Sequence, residues 1–161
     1  DDFNIIWVPH EPTPTEINNV YDYFAHKGYT VELYSKIDNL DANDSKITIV
    51  DVIGELSKIY WEGKIAYIGG GFSTGIHNVM EPAIARLPVI FGPRYDNFQE
   101  AIELIDLGGG WSINNNKEFY KIVNKLLNNE EMLLKASKAA TDVIHNNIGA
   151  STRVVRGIIR D

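Results

Sequence analysis

Apolar residues are distributed along this chain in two alternating rhythms: short continuous runs, and longer stretches in which they recur every three or four positions. The runs predict strands over 3–8, 29–34, 46–50, 65–68, 88–91 and 110–113. The longer stretches predict helices over 15–27, ended by Gly28, then over 54–60, 76–86 and 97–107, the last stopped by Gly108. Helices over 117–128, 130–146 and 151–160 close the chain, and 37–45 reads as a polar connection. Strands alternating with helices through short loops imply an α/β fold: a Rossmann-like, doubly wound parallel sheet of about six strands. In such sheets ligands bind outside the carboxyl ends of the strands, which directs attention to the loops that follow them.

The loop after the fourth predicted strand carries the densest chemistry. Gly69, Gly70 and Gly71 are followed by Ser73, Gly75, His77 and Asn78 at the expected start of the next helix, with Glu81 further along it. Glycines at a strand end admit positive φ and let backbone approach a ligand, while the first N–H groups of a helix face the same space. The expectation is an anion held on the turn. Glu81 stands too deep in the expected helix to cap it and is placed to accept hydrogens from the hydroxyls of a ribose; His77 and Glu81 share a face, with Asn78 beside them. Other glycine loops fail on spacing. A triphosphate-binding loop needs Lys-Ser/Thr after Gly75, where this chain has Ile76 and His77, and the dinucleotide fingerprint needs a glycine where Thr74 stands.

Composition narrows the classes. At 161 residues with 44% hydrophobic and 23% charged positions, the chain is expected to form one globular domain. No apolar run approaches the ~20 residues of a membrane span, so a soluble domain is expected. Absence of cysteine removes disulfides, thiolate zinc sites and thiol catalysis, and the four histidines are scattered without metal-ligand spacing, so no metal or cofactor is expected. A formal net charge of −7 argues against a nucleic-acid surface. The basic residues are dispersed apart from Arg153, Arg156 and Arg160, which fall on one broad face of the expected last helix.

Three further loops follow predicted strands. Pro9 and His10 come after the first, Asp51-Val52-Ile53-Gly54-Glu55-Leu56 after the third, and Gly92-Pro93-Arg94-Tyr95-Asp96-Asn97-Phe98 after the fifth. Taken with Gly69 to Glu81, these segments resemble the motifs of the 3-deoxy-D-manno-octulosonic acid (Kdo) transferases: Asp-x-x-Gly-Glu-Leu, a glycine run leading to Gly-x-His-Asn-x-x-Glu, and Pro-Val followed by Gly-Pro and Asn-Phe. Order and spacing match over roughly 8–110. The resemblance implies the C-terminal, donor-binding half of a two-domain glycosyltransferase of the GT-B type, with the N-terminal acceptor domain outside this chain.

It also implies CMP-Kdo as the sugar nucleotide and a lipid A precursor as acceptor. The phosphate would rest on Gly69, Gly70, Gly71, Ser73, Gly75, His77 and Asn78, the ribose on Glu81, and the cytidine on Pro9, His10, Gly54, Glu55 and Leu56. No catalytic residue is assigned to this chain, because the general base is expected on the missing half. Membrane contact, at the cytoplasmic side of the bacterial inner membrane, is likewise expected only through the full-length protein. One departure stands out: the family commonly has Pro-Arg-His after the first strand of this half, whereas this chain has Pro9-His10-Glu11, and Arg94 is the candidate replacement cation. Two rival readings stay open. One is another GT-B glycosyltransferase or sugar-nucleotide epimerase using a UDP-sugar. The other is a non-enzymatic doubly wound module.

Overall fold

The computed structural model describes residues 3–38, 40 and 45–158, excepting the side chains of 148–158. The chain divides into two compact units, 1–62 and 63–161. Each carries a three-stranded parallel sheet, so the six expected strands are present as two sheets of three.

In the first unit the strands are β1 (Ile5–Trp7), β2 (Val31–Leu33) and β3 (Ile47–Ile49), in the order β1-β3-β2. β3 is buried at every position because Ile47 and Ile49 point to one face and Thr48 to the other, each pairing with both neighbours. Helix α1 (Pro14–His26) crosses between β1 and β2. Thr13 caps it, accepting from the Glu16 N–H at 3.3 Å, and Pro14 opens the first turn, where its missing N–H costs nothing. Ile17 is buried on Ile47 and Ile49, with Val20 and Phe24 packed around them. β1 differs from expectation. The apolar run over 3–8 reads as buried, yet β1 is an edge strand with Ile5 and Trp7 exposed.

In the second unit β4 (Ala66–Ile68), β5 (Val89–Phe91) and β6 (Gly110–Ser112) stand in chain order. β5 is fully buried, and Ile90 meets Ile113 and Val123 in a cluster flanked by Phe119 and Ile122. Helices α4 (Gln99–Leu107) and α5 (Asn116–Leu127) cover the sheet, and α6 (Glu130–Ile158) packs on α3 (Met80–Ile84) and α4. Asn115 caps α5, accepting from the Lys117 and Glu118 N–H groups at 3.1 and 3.0 Å.

Two helix boundaries overturn expectation. The helices expected over 130–146 and 151–160 are one helix, because Gly149 costs helix propensity without interrupting the backbone ladder. Asn147 within it donates to the Val143 carbonyl at 2.9 Å and to Glu103 on α4 at 3.0 Å. The basic face of Arg153, Arg156 and Arg160 lies outside the described side chains. The helix expected over 76–86 is the shorter α3, starting only at Met80. Pro82 explains the late start: it has no N–H to return to the Asn78 carbonyl, and its ring excludes that carbonyl from helical geometry. α3 ends in a Schellman motif, with Arg86 N–H on Ala83 and Leu87 N–H on Pro82, which places Arg86 at φ 63°. A short helix α2 (Leu56–Ile59) follows β3 in the first unit.

Candidate functional site

In the second unit the segment from Gly69 to Val79 leaves the carboxyl end of β4 as an irregular turn folded back on itself. Its glycine carbonyls are the anchors. The Gly69 oxygen accepts from the His77 N–H at 3.2 Å. The Gly70 oxygen accepts from Ser73 N–H at 2.9 Å, Gly75 N–H at 3.2 Å and the Ser73 hydroxyl at 3.1 Å. The Gly71 oxygen accepts from the Arg94 N–H at 3.0 Å, which ties this turn to the loop after β5.

The folding-back demands glycine. Gly70 and Gly75 have φ of 86° and 122°, and a Cβ on Gly70 would lie 2.2 Å from the Gly75 carbonyl oxygen. Gly71 meets Gly92 backbone to backbone, and a Cβ there would come within 2.6 Å of the Gly92 nitrogen. These contacts correct one expectation. The amides of Ser73, Gly75 and His77 are committed to glycine carbonyls, and residues 76–79 are not helical, so the anion cradle of helix-start N–H groups is not formed by them.

Side chains line the turn instead. The Arg94 guanidinium donates from Nη1 to the Ser73 carbonyl, which holds a permanent cation on the turn. The exposed His77 imidazole lies against Gly69 and Gly70, 3.7 and 3.2 Å from where their Cβ atoms would be. Asn78 bridges two groups: its Oδ1 accepts from the Met80 N–H at 2.9 Å, and its Nδ2 donates to Glu81 Oε1 at 2.9 Å. Glu81 therefore stands in the first turn of α3, not deep within it, half-buried and with one carboxylate oxygen held by Asn78. The turn thus carries a cation at Ser73, an imidazole against Gly69 and Gly70, and, through Asn78, an oriented carboxylate. Phe98, which packs its ring on Gly75, and Gly92, the steric complement of Gly71, are not among the expected site residues. The Gly-Pro and Asn-Phe spacing is their only sequence signal.

The first unit presents its own strand-end loops. Pro9 is half-buried and His10 exposed after β1. After β3, Asp51 Oδ1 accepts from the Ser35 N–H at 2.9 Å and Oδ2 from the Ser35 hydroxyl at 2.6 Å, so the motif aspartate pins the turn Tyr34–Lys36 that leaves β2. Burial pushes its carboxyl up, but the Ser35 hydroxyl and amide, with the charge of Lys36, outweigh that and leave it below the usual carboxylate range. Gly54 has φ 90° and open space where a side chain would project. Glu55 precedes Leu56 at the start of α2 and pairs with Lys58 at 3.0 Å. The Glu55 hydrogen bond, then its charge, hold the Lys58 ammonium above the usual lysine range. Among the described residues no cluster of acidic or histidine side chains could hold a metal ion, and no helix is long and apolar enough to cross a membrane.

Parallel strands, crossover helices and a glycine turn at a strand's carboxyl end define the α/β class found in the C-terminal half of GT-B glycosyltransferases. The solved C-terminal CMP-Kdo binding domain of WaaA from Acinetobacter baumannii has this fold, with TM-score 0.76 and 24% identity over 88% of this chain and 73% of that one. A probable mitochondrial 3-deoxy-D-manno-octulosonic acid transferase from Arabidopsis thaliana is 33% identical over 128 residues, 74% of this chain and 29% of that protein. The 3-deoxy-D-manno-octulosonic acid transferase of Chlamydia pneumoniae is 31% identical over 80% of this chain and 29% of its own length. That of Haemophilus influenzae is 30% identical over 94% of this chain and 35% of its own. No family model matches the chain. The chain belongs to the 3-deoxy-D-manno-octulosonic acid transferase family and spans about a third of the length of these relatives.

Proposed function

We propose that this chain is the donor-binding part of a Kdo transferase, taking CMP-Kdo and holding its single phosphate at the glycine turn. The observation that carries the reading is that the Arg94 guanidinium and the His77 ring both meet the segment Gly69 to Ser73, while Asn78, the neighbour of His77 in the chain, orients Glu81. Arg94 offers the donors for a phosphate, and negative charge growing on the departing CMP would be stabilised there. The free Glu81 oxygen accepts from a ribose hydroxyl. The acceptor, a lipid A precursor, and the general base belong to the remainder of the longer protein, which works at the cytoplasmic side of the bacterial inner membrane.

Calorimetric titration with CMP, UMP, UDP and inorganic phosphate tests this. CMP should bind best, Glu81→Ala should weaken CMP about tenfold while sparing inorganic phosphate, and Arg94→Ala should weaken both. Preference for UDP would move the chain to a different sugar nucleotide, and indifference to every nucleotide would sink the donor reading. By itself the chain should transfer no Kdo; measurable transfer would show that the general base lies within these residues.

A further inference from the structure

In the first unit the loop after β3 is tied down by a residue sixteen positions upstream. Ser35, in the turn Tyr34–Lys36 that follows β2, gives its amide and its hydroxyl to Asp51, the first residue of that loop, at 2.9 and 2.6 Å. From Asp51 the chain runs through Val52, Ile53 and Gly54, which make no backbone hydrogen bond among the described residues. Order returns at Glu55, whose carbonyl accepts from the Lys58 and Ile59 N–H groups at 3.0 Å as α2 begins. The loop is therefore held at its two ends. Its tip has no packing to fix it, since Ile53 is 85% exposed and Gly54, at φ 90°, has open space where a side chain would project.

Given the donor-binding role proposed for this chain, we infer that Asp51 is a positioning residue of the nucleotide site: through Ser35 it holds the loop 52–55 in the shape that meets the base, although neither residue touches the donor. The loop leaves the carboxyl end of a parallel strand, the side on which open α/β sheets take their ligands. Its uncommitted N–H and C=O groups match the edge of a cytosine, which offers a carbonyl and an amino group in one plane. Such pairing needs a loop that is already shaped, because ordering the backbone of even one residue on binding costs roughly fivefold to thirtyfold in affinity. The carboxylate suits the task. Burial alone would raise its pKa, but the Ser35 hydroxyl and amide and the Lys36 charge outweigh that and keep the acceptor ionised, and bonds to an ionised acceptor are about twice as strong as neutral ones.

Calorimetric titration of the full-length protein with CMP and with ribose 5-phosphate, which lacks the base, tests the assignment. Wild type should bind CMP the more tightly. Ser35→Ala loses the hydroxyl bond and keeps the amide one, so it should weaken CMP about threefold to tenfold and leave ribose 5-phosphate unchanged. Asp51→Ala loses both bonds and should weaken CMP about tenfold or more, whereas Ser35→Thr keeps both donors and should match wild type. The milder Ser35→Ala decides the matter where Asp51→Ala lowers stability. Equal weakening of the two ligands would overturn the proposal, because a general loss of structure does not single out the base, and so would CMP binding left intact in both alanine variants. If wild type binds CMP no more tightly than ribose 5-phosphate, the loop reads no base and the positioning role fails while the phosphate and ribose contacts stand. Binding of neither ligand would sink the donor reading itself, and this role with it.

Discussion

Replacing Gly71 by alanine isolates the contact that joins the turn after β4 to the loop after β5. Gly71 has no left-handed φ, so alanine suits its backbone and the cost is steric alone. The added Cβ would lie 2.6 Å from the Gly92 nitrogen, 2.7 Å from its Cα and 2.9 Å from Ile76 Cγ2, whereas ordinary contact begins at 3.4 Å. Two of these three atoms are backbone, and the loops must part by about 0.8 Å, stretching the 3.0 Å bond from the Arg94 N–H to the Gly71 oxygen. Overpacking on this scale costs about 1–3 kcal/mol, and for a chain of this size each kcal/mol lowers Tm by about 2–4 °C, so a loss of roughly 2–12 °C is expected. Gly69→Ala is the control, since the nearest atom to its Cβ would be His77 Cδ2 at 3.7 Å. Differential scanning calorimetry of both variants decides the matter. The double variant Gly71→Ala, Gly92→Ala should cost less than the sum of the singles, because the first substitution opens the gap that the second needs. If Gly71→Ala melts within about a degree of Gly69→Ala, the close approach of the two loops is not a determinant of this turn.

Three further substitutions probe the frame around the site. Asp51→Ala should destabilise by about 1–3 kcal/mol in urea unfolding near neutral pH, because the Ser35 amide and hydroxyl lose their acceptor. The folded carboxyl lies below its unfolded value, so this stabilisation is complete above the unfolded pKa and is lost as pH falls through the folded one; the gap between wild type and variant should close below about pH 4. Arg86→Gly should raise Tm slightly, with a gain of up to about 1 kcal/mol, because a β-carbon is strained at φ 63° in the Schellman position; a lower Tm would show that the Arg86 side chain outweighs that strain. Asn115→Ala should cost about 1 kcal/mol by removing the acceptor for two first-turn amides of α5, measured as a shift of the urea midpoint at unchanged slope.

The parts of the fold that sequence predicts well are those whose determinants are local. α1 is bracketed by Thr13-Pro14 and Gly28, and β3 and β5 are short runs of apolar and β-branched residues that stay buried whatever their neighbours do. What the pattern misses depends on partners or on a single backbone atom. Ile76 and Val79 continue the apolar spacing of α3 backwards and suggest a longer helix, yet both are buried as part of the turn, and Pro82 forbids the Asn78 carbonyl a helical partner. Gly149 has the composition of a break, and a helix backbone passes through it. The run 3–8 is apolar enough for a buried strand, but burial of β1 requires a neighbour that periodicity within the run cannot reveal.

The candidate site divides along the same line. Glycines at 69, 70 and 71 predict a tight turn with close backbone approach, and the structure has one; the amides expected to face a ligand face the glycine carbonyls instead. Once those carbonyls have drawn the Ser73, Gly75 and His77 amides inward, the turn has little positive charge of its own to offer, and the chain as a whole carries −7. An anion drawn to this rim therefore depends on a cation brought from elsewhere in sequence. Arg94 meets that need because its own backbone N–H is bonded to Gly71, which fixes the root of the side chain before the guanidinium reaches Ser73. The proposed phosphate site is thus built by two loops that must stay in register, and the backbone contact between Gly71 and Gly92 keeps them there. Arg94, a residue of the loop after β5, is on this reading the candidate cation of the proposed phosphate site.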